Sequence, residues 1–259
     1  MGFSVLSRYR GSMKSPEIVL SLNEIMFYFT RAGVGAGLPF GLAEDFGRSC
    51  IWIAASGLDP ARITSTTLKS LDESQSSLCA RQTEIGAETI LTPFGAKQLS
   101  ALFAGPSVCD WILEKKAVSD KTQHFVVEKV DHPFLIVAAI GVLKSGNWEI
   151  CWQDSGGTLC NVLTGQNGNW KTSLEGNENF QQHSPADVSI KSAESSLFSS
   201  KKWIEKTTYS EKNRQVVLES GVPIYEAWPI IYKLFSRCLV PSTEESHKSG
   251  AGAGLVDMD

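Results

Sequence analysis

Apolar residues in the first quarter of the chain are spaced as in two amphipathic helices. Ser21 and Glu24 have the spacing of a capping box. Apolar side chains then recur every three or four positions, which predicts a first helix over Leu22–Ala32 and a second over about Leu42–Ser56. The stretch Gly33–Gly41 between them contains four glycines and Pro39. We therefore expect a helical hairpin with a tight connection.

The following hundred residues carry a weaker pattern. Arg62–Leu91 has few apolar positions and is expected to hold short helix and loop. Gly95–Phe103 again has helical spacing, and Ala104–Pro106 is expected to end that helix. Ser107 then has the right position to cap a further helix over Val108–Lys115.

Beyond Lys121 the pattern is typical of strands. The predicted strands are Phe125–Val130, Phe134–Leu143, Trp148–Gln153, Thr158–Leu163, Asp187–Lys191, Trp203–Thr208 and Arg214–Glu219. Phe134–Leu143 is continuously apolar, as expected of a central strand. A two-residue turn at Ser155-Gly156 would place Cys151 opposite Cys160. Pro229–Cys238 repeats apolar residues at helical spacing and predicts a last helix.

Helices followed by mostly antiparallel strands, a last helix and a glycine-rich tail indicate an α+β fold. We expect an N-terminal extension over residues 1–20, a helical subdomain over 21–120 and a mostly β subdomain over 121–259. Met13 is an alternative start to Met1, so the extension carries little structural weight.

Composition limits the partners. The net charge is −4 and no segment is densely basic, which argues against nucleic acid binding. The longest apolar run, Phe134–Leu143, is half the roughly 20 residues that a membrane-spanning helix needs. The N-terminus lacks the apolar core of a secretory signal, so the six cysteines are expected to be reduced thiols in the cytoplasm. No spacing matches a metal site, and no cofactor is indicated.

The candidate chemistry lies in three separate stretches. Cys109 is expected in the first turn of a helix, where the helix dipole lowers a thiol pKa, although Asp110 beside it acts in the opposite direction. His247 lies in a polar cluster before the glycine tail. The alternatives are a buried structural cysteine and a disordered tail. Asp131 and His132, at a predicted junction between strands, are interpreted as turn residues.

We expect these stretches and their glycines to line one pocket. The candidate catalytic residues are Cys109, Asp110 and His247, and the candidate ligand-binding residues are Gly35, Gly37, Gly41, Gly105, Ser242, Ser246, Gly250, Gly252 and Gly254. A dinucleotide site at Gly33–Gly37 is disfavoured because a helix, not a strand, precedes these glycines.

Three segments resemble an uncharacterised bacterial family, domain of unknown function 3726. They are Leu20–Pro60, Ala104–Trp111 and Val240–Asp259, the last being the most specific. The resemblance implies no known activity. A fainter one is to the start of lactate/malate dehydrogenases that lack a Rossmann domain. These have Gly-x-Asp-Ser-His-Gly with a catalytic His, whereas this chain has Gly57-Leu58-Asp59-Pro60 and is expected to be too short for that fold.

The sequence therefore favours a cytoplasmic protein that binds or transforms a small polar metabolite, of carboxylate or amino-acid type. The alternative is a non-catalytic accessory subunit whose C-terminal tail docks on a partner or on a second copy. A homo-oligomer is compatible with both hypotheses.

Overall fold

The structure is a computed structural model that describes residues 17–86, 88–95, 97–118, 123–172, 185–199 and 211–239. The helices are α1 (Leu22–Gly35), α2 (Phe40–Ala55), α3 (Pro60–Asp72), α4 (Ala101–Val118), α5 (Phe134–Leu143), α6 (Glu211–Ser220) and α7 (Trp228–Ser236). The strands are β1 (Ile18–Leu20), β2 (Ser76–Ser77), β3 (Ala80–Ile85), β4 (Glu88–Pro93), β5 (Gln98–Leu99), β6 (His124–Val130), β7 (Trp148–Gln153), β8 (Leu159–Thr164), β9 (Trp170–Thr172), β10 (Ala186–Ser192) and β11 (Val222–Ile224). A short 3₁₀ helix occupies Ser195–Ser199.

The N-terminal hairpin forms as predicted. The Glu24 amide donates to Ser21 Oγ at 3.2 Å, and the Ser21 amide donates to Glu24 Oε2 at 2.7 Å, which completes the capping box. Helix α1 continues past Gly33 to Gly35, and Gly37 turns the chain with a φ of +101°. Such a φ is strained for a residue with a side chain, so Gly37 fits this connection.

Nine strands of the described chain form one mixed sheet, seven of them in the order β2-β5-β6-β10-β7-β8-β9. Strand β4 also pairs with β6, in parallel, and with β3 in a hairpin, while β1 and β11 make a separate antiparallel pair. Most pairings are antiparallel, and the α+β class is confirmed. The division near residue 120 stays a prediction, although the sheet contains strands from both sides of it.

The predicted central strand Phe134–Leu143 is wrong, because this segment is helix α5. Eight of its ten residues are buried, from Phe134 to Gly141. A helix surrounded by protein has no polar face, so its sequence is continuously apolar like that of a central strand. Pro133 at the N-cap fits a helix start.

Three other expectations are corrected. Helix α4 runs through Gly105 and Pro106 as one element, so Ser107 caps no new helix and instead donates its hydroxyl to the Phe103 carbonyl at 2.9 Å. Arg214–Glu219 belongs to helix α6. Arg62–Leu91 contains most of α3 and the hairpin of β3 and β4. The predicted strand Trp203–Thr208 lies outside the described residues.

The hairpin of β7 and β8 forms, but its register differs by one residue from the predicted one. Trp152 lies opposite Cys160, and Cys151 lies opposite Asn161. The turn is longer than two residues, since the Asp154 amide donates to the Thr158 carbonyl and Gly157 has a φ of +81°. A shift of one residue moves the two cysteines to opposite faces of the sheet. All six thiols are free.

The core contains an aromatic cluster that joins the helices to the sheet. Trp52 of α2 packs on Phe134 and Trp170, and Trp111 of α4 stacks on Phe125 of β6 at 5.8 Å. Gly141 leaves room for the Trp52 ring, since a Cβ there would lie 2.6 Å from its Nε1. No described helix is long and apolar enough to cross a membrane.

Candidate functional site

A cleft of about 340 Å³ lies between helices α2, α4 and α5. Its polar lining consists of Asp45, Arg48, Ser49, Cys109 and Asp110, and its apolar lining of Pro106, Leu113, Ala139, Val142 and Leu143. The sequence therefore singled out two residues that the fold does place at one cleft, Cys109 and Asp110. It missed Asp45 and Arg48.

Helix α2 supplies a charged pair to the cleft. Arg48 Nη1 lies 2.8 Å from Asp45 Oδ1, and the Ser49 hydroxyl donates to the Asp45 carbonyl at 3.0 Å. Positions three and four apart share one face of a helix, which is why these side chains meet. The side chains of Arg48 and Asp45 are 52% and 45% exposed, so the ion pair between them is weak. The Arg48 guanidinium therefore stays available to a ligand. Helix α2 begins at Phe40, so Asp45 lies beyond its first turn.

Helix α4 contributes the opposite wall and approaches α5 closely at Gly105. A Cβ on Gly105 would lie 2.8 Å from the Ala139 Cβ. The missing side chain at Gly105 is thus accounted for by helix packing. Pro106, Cys109 and Asp110 follow on the same helix and line the cleft.

The environment of Cys109 does not favour a thiolate. Burial, together with the negative charges of Asp110 and Asp45, raises the pKa of Cys109 to about 12. The premise of a first-turn position is wrong, because α4 begins eight residues earlier, at Ala101. The thiolate is the nucleophilic form of cysteine, so Cys109 is better suited to packing than to attack on a substrate.

The glycines of the first connection do not line this cleft. A Cβ on Gly35 would overlap the Leu234 carbonyl oxygen of α7 and lie 2.8 Å from its carbon. Gly37 and Gly41 have no atom within 4 Å of such a Cβ. The remaining candidates, Ser242, Ser246, His247, Gly250, Gly252 and Gly254, lie outside the described residues. The expectation of one pocket shared by three stretches therefore stays a prediction.

Asp131 and His132 are not simple turn residues, since their exposed fractions are 0% and 1%. Asp131 Oδ1 accepts the Ala101 amide at 2.8 Å and so caps α4 from the end of β6. Burial raises the pKa of the Asp131 carboxyl to about 7, although hydrogen bonds from Ala101, His132 and Ser76 act in the opposite direction. An acidic residue directly after a strand was the available signal. The sequence could not show that Asp131 lies beside the first residues of α4, which are 30 positions earlier in the chain.

Within the described part of the chain, no three His, Cys, Asp or Glu side chains lie close enough to hold a metal ion.

Comparison with known proteins shows that part of this chain is similar to a family. Residues 20–87 match the model of the family described as Protein of unknown function (DUF3726). The resemblance to that family is confirmed over this stretch. No curated protein sequence matches the chain significantly.

Solved structures show what the fold is similar to. Malate dehydrogenase from Pyrococcus horikoshii OT3 superposes with a TM-score of 0.59 at 10% identity, over 90% of this chain and 99% of that one. A dehydrogenase from Sinorhizobium meliloti gives 0.56 at 10% identity, over 85% and 98%. Delta1-piperideine-2-carboxylate reductase from Pseudomonas syringae pvar. tomato gives 0.52 at 10% identity, over 85% and 99%.

The expectation that the chain is too short for this fold is therefore wrong. The Gly57–Pro60 segment, which resembles the start of the dehydrogenase motif, has a structural role. Asp59 Oδ1 accepts the Ala61 and Arg62 amides at 2.9 and 3.2 Å, and Oδ2 accepts the Tyr225 amide at 2.9 Å. Pro60 opens α3, and the buried Ala61 follows it, so no imidazole stands within this motif.

Proposed function

We propose that this protein binds a small amino-acid-like metabolite in the cleft between α2, α4 and α5. The observation that carries the proposal is the combination, in one cleft, of the Arg48 guanidinium, the Asp110 carboxylate and an apolar wall. Arg48 would bind the ligand carboxylate, because guanidinium and carboxylate match in geometry and charge. Asp110 would bind the ammonium group, and Leu113, Val142 and Leu143 would contact the side chain.

The charge of the cleft fits such a ligand. Asp45 and Asp110 bring two carboxylates and Arg48 one cation, so the ordinary charges sum to −1. Among the described residues no side-chain cation pairs with Asp110. A ligand with an ammonium group would balance that carboxylate and let Arg48 exchange Asp45 for the ligand carboxylate. The volume of about 340 Å³ leaves room for an amino acid.

Hydride transfer of the malate dehydrogenase kind has less support. The structural neighbours act on small carboxylates by their names, but at 10% identity they share the fold alone. The Gly57–Pro60 segment holds a helix cap where the dehydrogenase motif supplies a catalytic His. If the cleft supports a reaction, Asp110 is better placed than Cys109, since the thiolate of Cys109 is disfavoured.

Thermal unfolding tests the proposal with the full chain. We expect L-leucine at 100 times its dissociation constant to stabilise the protein by about 2.7 kcal/mol, and a panel of other amino acids to identify the tightest ligand. Isoamylamine, which lacks the carboxylate, and 4-methylvalerate, which lacks the amine, should each stabilise it much less. Arg48→Gln should weaken binding of the acid, and Asp110→Asn should weaken binding of the amine.

The matched controls are Arg62→Gln on α3 and Glu114→Gln on α4, since neither residue lines the cleft. These variants should bind every ligand as the unmodified protein does. The proposal fails if no amino acid shifts the melting temperature, or if both cleft variants keep the full shift.

The accessory-subunit hypothesis is favoured by one surface of the protein. Phe27 of α1 and Ile230 and Tyr232 of α7 are 44%, 38% and 48% exposed. The rings of Phe27 and Tyr232 pack on Phe235, near the end of α7 that leads to the C-terminal residues. Deleting Gly250–Asp259 separates the hypotheses. Loss of oligomerisation with an unchanged ligand shift would support docking, and the reverse would support a ligand site that includes the tail.

A further inference from the structure

Three polar side chains form a continuous hydrogen-bonded row across the mixed sheet. Glu88 begins β4, His124 begins β6 and Ser189 lies in the middle of β10, on strands that are neighbours in the sheet. His124 Nδ1 lies 2.9 Å from Glu88 Oε1, and His124 Nε2 lies 2.9 Å from Ser189 Oγ.

The row lies on the face of the sheet that is turned away from α4. Thr89 contacts Lys115 of α4 and Phe125 stacks on Trp111 of α4, so these residues face that helix. Successive side chains of a strand point to opposite faces, which places Glu88 and His124 on the other side. They are 33% and 28% exposed and are therefore reached from solvent.

The chemistry of the groups sets the direction of the two hydrogen bonds. An ionised Glu88 carries no proton, so the proton between it and the ring belongs to His124 Nδ1. In the neutral ring Nε2 is then an acceptor, and the Ser189 hydroxyl must donate to it. Burial lowers the pKa of His124, Lys191 lowers it further and Glu88 opposes both, so the ring is neutral at pH 7.

We propose that Glu88, His124 and Ser189 are a catalytic triad that hydrolyses small esters on this face of the sheet. Ser189 Oγ adds to the ester carbonyl carbon and His124 Nε2 takes the hydroxyl proton. The bond from that carbon to the alcohol oxygen then breaks, and the alcohol leaves with the proton from His124. Water, deprotonated by the same nitrogen, attacks the acylated serine, releases the acid and restores the hydroxyl. Glu88 holds the ring and stabilises its protonated form.

Lys191 completes the arrangement. It lies directly opposite His124 in the register of β6 and β10, two residues from Ser189 on the same face. Its ammonium group would stabilise the negative charge that develops on the carbonyl oxygen. This site is separate from the cleft between the helices, so its test is independent of amino acid binding.

The test uses a fluorophosphonate, which transfers its phosphonyl group to an activated serine with release of fluoride, and p-nitrophenyl acetate as substrate. We expect one phosphonyl adduct per chain, mapped to Ser189 by peptide mass analysis and absent from Ser189→Ala. His124→Gln should slow labelling and ester hydrolysis at least about 100-fold. Glu88→Gln should also slow labelling and ester hydrolysis. Glu128→Gln is the control: it makes the same charge change on the face of β6 that carries His124, and it should leave labelling and ester hydrolysis unchanged.

The labelling rate of the unmodified protein should rise with pH as His124 loses its proton and then level off, which provides a readout even if a variant fails to fold. Absence of an adduct at Ser189 would overturn the proposal. So would labelling of a folded His124→Gln at the unmodified rate, or full ester hydrolysis by Ser189→Ala, which would identify His124 alone as the nucleophile.

Discussion

Replacing Gly35 with Ala tests whether this glycine serves helix packing, as the structure indicates, or ligand contact, as its sequence context suggested. The new Cβ would overlap the Leu234 carbonyl oxygen and lie 2.8 Å from the carbonyl carbon. Both obstructing atoms belong to the backbone of α7, so no rotamer change relieves the overlap and the helix itself must move. Overpacking of this kind costs typically about 1–3 kcal/mol, and we expect the upper end.

A second loss adds to the first. Arg237 Nη1 donates to the Gly35 carbonyl at 3.0 Å and also pairs with Asp72 of α3, so a shift of α7 disturbs both contacts. These side chains are 42% and 31% exposed, so this contribution is small beside the overpacking. A loss of about 3 kcal/mol corresponds to a fall in melting temperature of roughly 6–12 °C for a chain of this size.

Gly41→Ala is the matched control for Gly35→Ala. A Cβ at Gly41 meets no atom within 4 Å, and the residue lies in helix α2. Alanine is favoured over glycine in a helix, so this variant should keep or gain stability, by up to about 1 kcal/mol. Urea unfolding followed by circular dichroism, with linear extrapolation, measures both changes. The packing argument is refuted if Gly35→Ala stays within about 0.5 kcal/mol of the unmodified protein, or if Gly41→Ala is destabilised as much.

Two further predictions concern buried ionisable groups. The pKa of Asp131 is raised in the folded protein from 3.8 to about 7, so the folded state binds its proton more tightly than the unfolded state. Stability should therefore fall as the pH rises from about 4 to 7, and Asp131→Asn, which keeps an acceptor for the Ala101 amide, should show less of this fall in urea unfolding; equal pH profiles would contradict the argument. Because the pKa of Cys109 is raised to about 12, iodoacetamide at pH 8 should alkylate the exposed Cys79 and Cys238 at least about tenfold faster, and comparable rates in peptide mapping would show that Cys109 is not shielded.

The elements that sequence could predict are those whose signals are local. The capping box of α1, the tight connection to α2, the hairpin of β7 and β8 and the amphipathic α7 all appear where they were expected. Each of these elements depends on residues a few positions apart, so the local sequence already contains the residues that determine it. The hairpin register needed one more fact, the positive φ of Gly157, which the residue types did not determine.

The elements that were missed depend on distant neighbours. Eight of the ten residues of helix α5 are buried, so its pattern could not be distinguished from that of a buried strand. Helix α4 tolerates Gly105 because Ala139 packs against it, and begins where it does because Asp131 caps it. Contacts with residues 30 or more positions away decide both features, and no local pattern records them.

The same reasoning explains why a glycine-rich stretch does not by itself identify a ligand site. A position without Cβ lets another group approach the backbone, but the sequence does not say whether that group is a ligand or a helix. At Gly35 and Gly105 it is a helix. In the Gly57–Pro60 segment, Asp59 and Pro60 form a helix cap, and no histidine stands there. The two proposed sites use groups that the dehydrogenase comparison does not indicate. The cleft of Arg48 and Asp110 and the row of Glu88, His124 and Ser189 are two such groups, on separate surfaces, and each can fail its test without affecting the other.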